Sequence, residues 1–316
     1  MAELMARDGT WSFDGDRVWI VPGRDRGVHR LRQDLGETSV PLEALAGIAY
    51  EPARKGGRLR LRLRDGADPL LYVTGGGLPD DANPYQVAVD PDRTGVAEYF
   101  ADEVRQAMLL DQVATGPTDR YLLPGPAVPL SAAGVDGVAT FDGEHVHIDW
   151  RWTTSESKKH AGARDFALAD LAGVDWRPAS GLESGYLRFR PKGVTAKLKP
   201  EHDPNAIELW GFKKESGRTA LLAAAVAARL PHPSGGAAPG AVAGPEAGAV
   251  AGPPAAPALE KAADAGGTGA GSGGDGADVL LRRLRELGEL HRDGILTAEE
   301  FSAAKAAVLK DFHGTG

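Results

Sequence analysis

The chain has 316 residues, 42% hydrophobic and 25% charged, a length that predicts about two domains each able to bury a core of its own. Its net charge of −8 argues against a surface devoted to nucleic acid, and the absence of cysteine excludes disulfides, thiolate metal sites and a cysteine nucleophile. The 42 glycines and 22 prolines crowd towards the C-terminal third, which separates folded segments from a low-complexity one.

Met1 to Thr10 holds Glu3, Arg7 and Asp8 and no apolar run, so no signal peptide is expected. The most apolar stretch, Ala220 to Ala228, is too short to span a bilayer. A cytoplasmic location is the expectation. Phe13-Asp14-Gly15-Asp16-Arg17-Val18-Trp19-Ile20 then opens a pattern that recurs as Phe141-Asp142-Gly143-Glu144-His145-Val146-His147-Ile148. An Asp-Gly pair between short alternating runs predicts a tight hairpin turn with positive φ, and Val18, Ile20, Val146 and Ile148 are expected to face a core.

Leu42, Leu45-Ala46-Gly47-Ile48, Tyr50 and Pro52 recur as Leu168, Leu171-Ala172-Gly173-Val174, Trp176 and Pro178. Arg58-Leu59-Arg60-Leu61-Arg62 recurs as Tyr186-Leu187-Arg188-Phe189-Arg190, and Asp81, Asn83 and Val87 are matched to Asp203, Asn205 and Leu209. The blocks keep their order at offsets of 128, 126, 128 and 122 residues, so the repeated unit is a whole domain and not a solenoid turn. Leu59, Leu61 and Leu63 alternating with Arg58, Arg60, Arg62 and Arg64 predict a half-buried strand. Further short strands are expected around Leu70 to Val73 and Tyr85 to Val89. Gly75-Gly76-Gly77 lacks the Lys-Ser or Lys-Thr of a phosphate-binding loop and reads as a mobile hairpin loop. Val96, Phe100, Val104 and Met108 predict a closing helix, and Gly217 to Leu230 plays that part in the second copy.

Six or seven strands capped by one helix are the outline of a pleckstrin-homology-like (PH-like) barrel. The expected fold is therefore mainly β with C-terminal helices: two tandem PH-like barrels, a disordered tether and a two-helix C-terminal module. In numbers, the first repeat covers 1–115, a Pro-rich connector 116–133, the second repeat 134–231, an Ala/Gly/Pro linker 232–276 and the helical pair 277–316. The linker cannot bury enough surface to offset its ordering entropy, and its root-mean-square span is roughly 35–40 Å by the flexible-chain rule. Gly269-Ala270-Gly271-Ser272-Gly273-Gly274 within it spells a dinucleotide fingerprint but follows no strand, so it reads as linker.

Leu280, Leu284 and Leu287 form one helical stripe, widened by Leu281 and Leu290, and Gly294 stops that helix. Thr297-Ala298-Glu299-Glu300 is a capping box that opens a second helix, whose apolar face holds Phe301, Ala304, Val308 and Leu309. Asp293-Gly294 and Glu299-Glu300 lack the alternate ligands of a calcium loop, since Ile295 and Thr297 replace carboxylates. Segments below about 40 residues need outside help to hold a core. Self-association or docking on a protein through Leu280, Leu284, Leu287, Leu290, Ile295, Phe301, Val308 and Leu309 is the expectation.

This segment resembles the SHOCT family of short C-terminal modules of bacterial proteins, on Leu284, Leu287, Leu290, Asp293, Gly294-Ile295-Leu296-Thr297, Glu299-Glu300-Phe301, Lys305 and Leu309. The resemblance implies an oligomerisation or interaction role; Ala304 departs from it, where a lysine is frequent. The duplicated region, roughly residues 9 to 230, resembles the DUF4429 family of actinobacterial proteins on its two Phe-Asp-Gly and two Leu-Ala-Gly blocks. That resemblance implies a PH-like fold and no known activity.

No nucleophile elbow, Ser-x-x-Lys set or local His–acid pair suggests catalysis, and no cofactor is expected. His145, His147 and Asp149 share a strand face, but Arg17 and Trp19 stand at the matching positions, so a solvated face is preferred to a metal site. Trp150, Trp152, Trp176 and Trp210 are expected to pack in strands and core rather than form a cage. Arg58, Arg60, Arg62 and Arg64 are expected to project from one strand face about 6.6–6.8 Å apart, and the second copy offers Arg188, Arg190 and Lys192, then Lys197 and Lys199; like charges in such a row repel one another. Either neighbouring Asp or Glu offsets them, or an anionic lipid, nucleic acid or acidic protein does. A non-enzymatic interaction scaffold is the reading these features favour, with lipid or nucleic-acid binding and an unrecognised hydrolase or transferase as alternatives.

Overall fold

In the computed structural model the described residues are 1–152, 154–180, 183–195, 198–210 and 216–235. The C-terminal module and nearly all of the linker, with every apolar residue assigned above to association, lie outside them.

Alternation of period two builds the first repeat. Strands β1 (Ala2–Ala6), β2 (Gly9–Phe13), β3 (Arg17–Pro22) and β4 (Thr38–Pro41) pair in that order as an antiparallel meander, and β5 (Leu45–Ala53), β6 (Gly56–Leu63) and β7 (Gln86–Val89) form a second one. The Asp14-Gly15 turn joins β2 to β3 as expected, with Gly15 at φ 115° and the Asp14 carboxylate accepting the amides of Asp16 and Arg17. The Trp19 indole N–H also donates to Asp14 and, ahead of the turn amides, holds that carboxyl below its ordinary value. Leu59, Leu61 and Leu63 face inwards onto Trp11, Phe13 and Phe100 in one core, which helix α3 (Thr94–Leu110) covers. A short helix, α1 (Arg30–Leu35), bridges β3 and β4.

The second repeat repeats this plan. Strands β8 (Leu130–Ala133), β9 (Gly137–Phe141), β10 (His145–Trp150) and β11 (Arg164–Ala167) form a four-stranded sheet, with helix α4 (Glu156–Ala161) between the last two. Then β12 (Leu171–Arg177), β13 (Gly185–Pro191) and β14 (Ala206–Leu209) form a three-stranded sheet, and α5 (Ser216–Ala227) closes it. Residues 130–133, placed above at the end of the connector, are thus the first strand of this repeat.

The expected barrel is not found. Among the described residues each repeat has one open four-stranded and one open three-stranded sheet, because a 3-10 turn, Leu42–Ala44 or Leu168–Asp170, interrupts the ladder where one sheet passes to the next. Two further expectations change. Leu70 to Val73 lies in helix α2 (Pro69–Thr74), since Asp68 accepts the amides of Leu70 and Leu71 at its start and Pro69 has the fixed φ of a first helical turn. Gly75-Gly76-Gly77 ends that helix: Gly75 is left-handed at φ 56°, and the Gly76 amide reaches back to the Leu71 carbonyl. The last repeat block also shifts by two. Leu59 pairs with Val87 and its counterpart Leu187 pairs with Ile207, so Val87 corresponds to Ile207 and not to Leu209. A two-residue slip keeps every side chain on its expected face, which is why the pattern conceals it.

The Leu-Ala-Gly blocks are β-bulges. Both ladders shift register there, between Leu45 and Gly47 and between Leu171 and Gly173. A Cβ on Gly173 would collide with the Arg190 guanidinium, which crosses it to reach Asp175. Gly173→Ala is expected to cost about 1 kcal/mol, the lower end of the overpacking range, because the half-exposed Arg190 guanidinium can swing aside. Adding Arg190→Ala should recover part of that loss in urea unfolding; no recovery would assign the cost to the backbone instead.

The two repeats share one compact unit, Met1–Gly244. Leu70 and Val73 of α2, together with Leu31 of α1, join the second repeat's core beside Ala220 to Ala227. Every residue of α5 from Thr219 to Ala227 is buried, whereas α3 exposes Glu98, Tyr99, Asp102, Leu109 and Leu110. The all-apolar run is therefore a helix covered on both sides. No helix among the described residues is long and apolar enough to cross a membrane.

Candidate functional site

The arginine rows were the foremost candidate surface, and the structure places partners beside Arg58, Arg60, Arg62, Arg64, Arg188, Arg190 and Lys192. Arg58 and Arg60 meet the Asp80 carboxylate, and Arg60 also donates to Gln86 Oε1. The Arg58 hydrogen bond and the charges of both guanidiniums hold the Asp80 carboxyl below its ordinary value. Arg188 pairs with Asp203 at 2.8 Å and donates to the Leu198 carbonyl, and Arg190 pairs with Asp175 at 3.2 Å. Asp175 is the expected neighbouring-strand acid; Asp80 and Asp203 come instead from the segments that precede β7 and β14.

The remaining three cations hold backbone. Arg62 donates to the Ala46 carbonyl. Arg64 donates to the carbonyls of Glu43, Gly116 and Pro117, and Lys192 to that of Ala169. Glu43 and Ala169 are corresponding positions in the two 3-10 corners, so Arg64 and Lys192 fasten the same corner in each repeat. Lys197 lies outside the described residues, and Lys199 is exposed. An anion arriving at these rows would have to displace internal partners.

Sequence reading missed a more deeply placed pair. Asp8 follows β1 and Arg32 lies on α1; Arg32 Nη1 donates to Asp8 Oδ2 at 2.7 Å, and Asp8 Oδ1 accepts the Ala88 amide of β7. The second repeat reproduces it with Asp136 and Lys158. Lys158 Nζ donates to Asp136 and, at 2.8 Å, to the Ala206 carbonyl, while Asp136 Oδ1 accepts the Glu208 amide at 2.8 Å. The Lys158 side chain is 0% exposed and that of Asp136 3%, and the ammonium also lies 4.9 Å from the Trp150 ring centre. One aspartate in each repeat thus ties the four-stranded sheet, the short helix and the last strand of the other sheet together, where a barrel would use a ladder. The available signal was Asp8-Gly9 and Asp136-Gly137 at the common offset of 128, with a basic residue at 32 and 158.

A further buried acid lies in the first repeat. Asp68 caps α2 and accepts the Tyr85 hydroxyl at 2.9 Å; burial raises its carboxyl above the ordinary 3.8, and burial followed by the Asp68 charge raises Tyr85.

Among the described residues no group of three or more His, Asp or Glu is placed to hold a metal ion. His147 stands on β10 between Asp149, 3.2 Å from Nε2, and Asp165, 3.4 Å from Nδ1, with His145 exposed nearby. Burial lowers its pKa, but the two carboxylates together outweigh that and raise it above 6.5. A raised histidine contributes stability fully below pH 6.5 and loses it as pH climbs through the folded value. NMR titration should place the His147 midpoint above 6.5, and Asp165→Asn should lower it; a midpoint unmoved by that change would remove Asp165 as a cause. Of the tryptophans, Trp150 and Trp176 pack against the second core, while Trp152 is 69% exposed instead of packed.

Comparison with protein-family models matches residues 11–105 and 139–227 to a domain described as "Domain of unknown function (DUF4429)", and residues 282–309 to "Short C-terminal domain", SHOCT. No curated protein matches the chain. The two matched regions fall within the two sheet-and-helix repeats, leaving out β1 and β8, and take in both hairpin turns, both bulges and both arginine rows. The chain belongs to the DUF4429 family, as a tandem of that domain followed by a SHOCT module.

Proposed function

We propose that this protein is a non-catalytic interaction scaffold: two PH-like repeats locked into one platform, carrying a C-terminal module that joins chains to one another or to a protein partner. The observation that carries the reading is the SHOCT match at 282–309, a kind of module often associated with protein interactions, set beyond a unit that ends at Gly244. The PH-like assignment draws support from the layout of each repeat, a four-strand meander followed by a three-strand meander and a covering helix. A linker between platform and module raises effective concentration without new contacts, so weak single contacts become avid ones when chains assemble.

Light scattering on the full-length chain tests this. The wild type is expected at a multiple of 33.1 kDa, and Leu284→Asp combined with Leu287→Asp at 33.1 kDa. A wild type that stays at the single-chain mass at all concentrations, and captures no protein that the double variant fails to capture, would end the proposal.

A further inference from the structure

The seam between the two repeats holds a cleft of about 360 Å³ that is partly open to solvent. His29, Leu78 and Pro79 of the first repeat face Trp176, Pro178 and Ser180 of the second across it. Neither repeat alone has both walls. Its volume falls within the range of about 300–1,000 Å³ typical of small-molecule sites, and junctions between folded units are where such sites concentrate.

The lining residues include no Asp, Glu, Lys or Arg, so a bound charge would meet no permanently charged side chain there. The Trp176 indole N–H donates to Thr219 Oγ1 at 2.9 Å, which commits the polar edge of that ring within the protein and leaves its carbon surface as the contact. The Pro79 and Pro178 rings add flat apolar area without side-chain entropy to lose. The His29 ring and the Ser180 hydroxyl are the polar side chains of the lining.

From these features we infer that the seam binds a small, uncharged, largely apolar molecule with a flat ring system and one hydrogen-bonding group. Nucleotides, phosphates and lipid headgroups are poor matches because they bring charge. The inference does not rest on association through the C-terminal module, since the seam lies wholly within the Met1–Gly244 unit.

2-Naphthol serves as the probe, titrated into full-length protein and followed through amide and indole N–H resonances. Saturable one-to-one binding is expected, with shifts confined to the Trp176 indole and the residues of the seam. Ser180→Phe, at an exposed lining position, should fill the mouth and weaken binding by about tenfold or more, a difference equivalent to about 1.4 kcal/mol. Leu78→Trp is a second filling variant should the first lower the melting temperature, and Tyr99→Ala on α3 should leave binding unchanged. The inference fails if shifts do not saturate or scatter over the surface, or if a filling variant with unchanged melting temperature binds as the wild type does. Equal binding of 2-naphthalenesulfonate would overturn the preference for an uncharged ligand, and binding of a proline-rich peptide in place of the naphthol would overturn the small-molecule class.

Discussion

Lys158→Met is expected to destabilise the protein by about 3–5 kcal/mol, the range for removing one partner of a fully buried ion pair. Asp136 would keep the Glu208 amide but lose the ammonium beside it, in a place where water cannot replace that charge. Asp136→Asn added to Lys158→Met removes the stranded charge while keeping an oxygen for the Glu208 amide, so the double variant should be more stable than the single one. Urea unfolding of both variants decides it: a single-variant loss under about 1 kcal/mol would put the pair on the footing of a surface salt bridge. The equivalent Arg32→Met should cost less, because the Asp8 side chain is 22% exposed and can recover water. Unequal losses at corresponding positions would show that solvent access, and not the shared geometry, sets the strength of the tie.

The second large effect concerns the joint between the repeats. Leu70→Ala is expected to cost about 2–5 kcal/mol, as for other buried leucines. The informative part is where the loss is felt. Leu70 belongs to the first repeat but packs in the core that α5 completes, so hydrogen exchange of the α5 amides should accelerate along with that of α2. Acceleration confined to the first repeat would mean that the two repeats open separately, and the description of a single platform would have to be withdrawn. Asp68→Ala should weaken the same joint through α2, which would lose two capping bonds, and would leave the Tyr85 hydroxyl without its acceptor.

What the sequence by itself determined is everything written in local periods. The duplication, the Asp-Gly turns, the Leu/Arg alternation of β6 and the closing helices α3 and α5 depend on residues a few positions apart, and turn chemistry and the alternation of a pleated strand read them directly. The same locality misled at α2, where Leu70-Leu71-Tyr72-Val73 has the composition of a buried strand, and only Asp68-Pro69 and Gly75 at its ends mark a helix.

Tertiary structure decided the rest, because it joins positions that no period relates. Asp8 meets Arg32 on a helix and Ala88 on the last strand of the other sheet; each is a single residue in its own neighbourhood, and only folding makes them one group. The arginine rows look unpaired when read along β6 and β13, since Asp80 and Asp203 arrive from separate segments. The apolar run of α5 could be counted in the chain, yet its reason is the presence of Leu31, Leu70 and Val73 from the other repeat on its far side. Burial on both faces removes any place for a charged residue there, and α3, with one face in water, keeps Glu98 and Asp102.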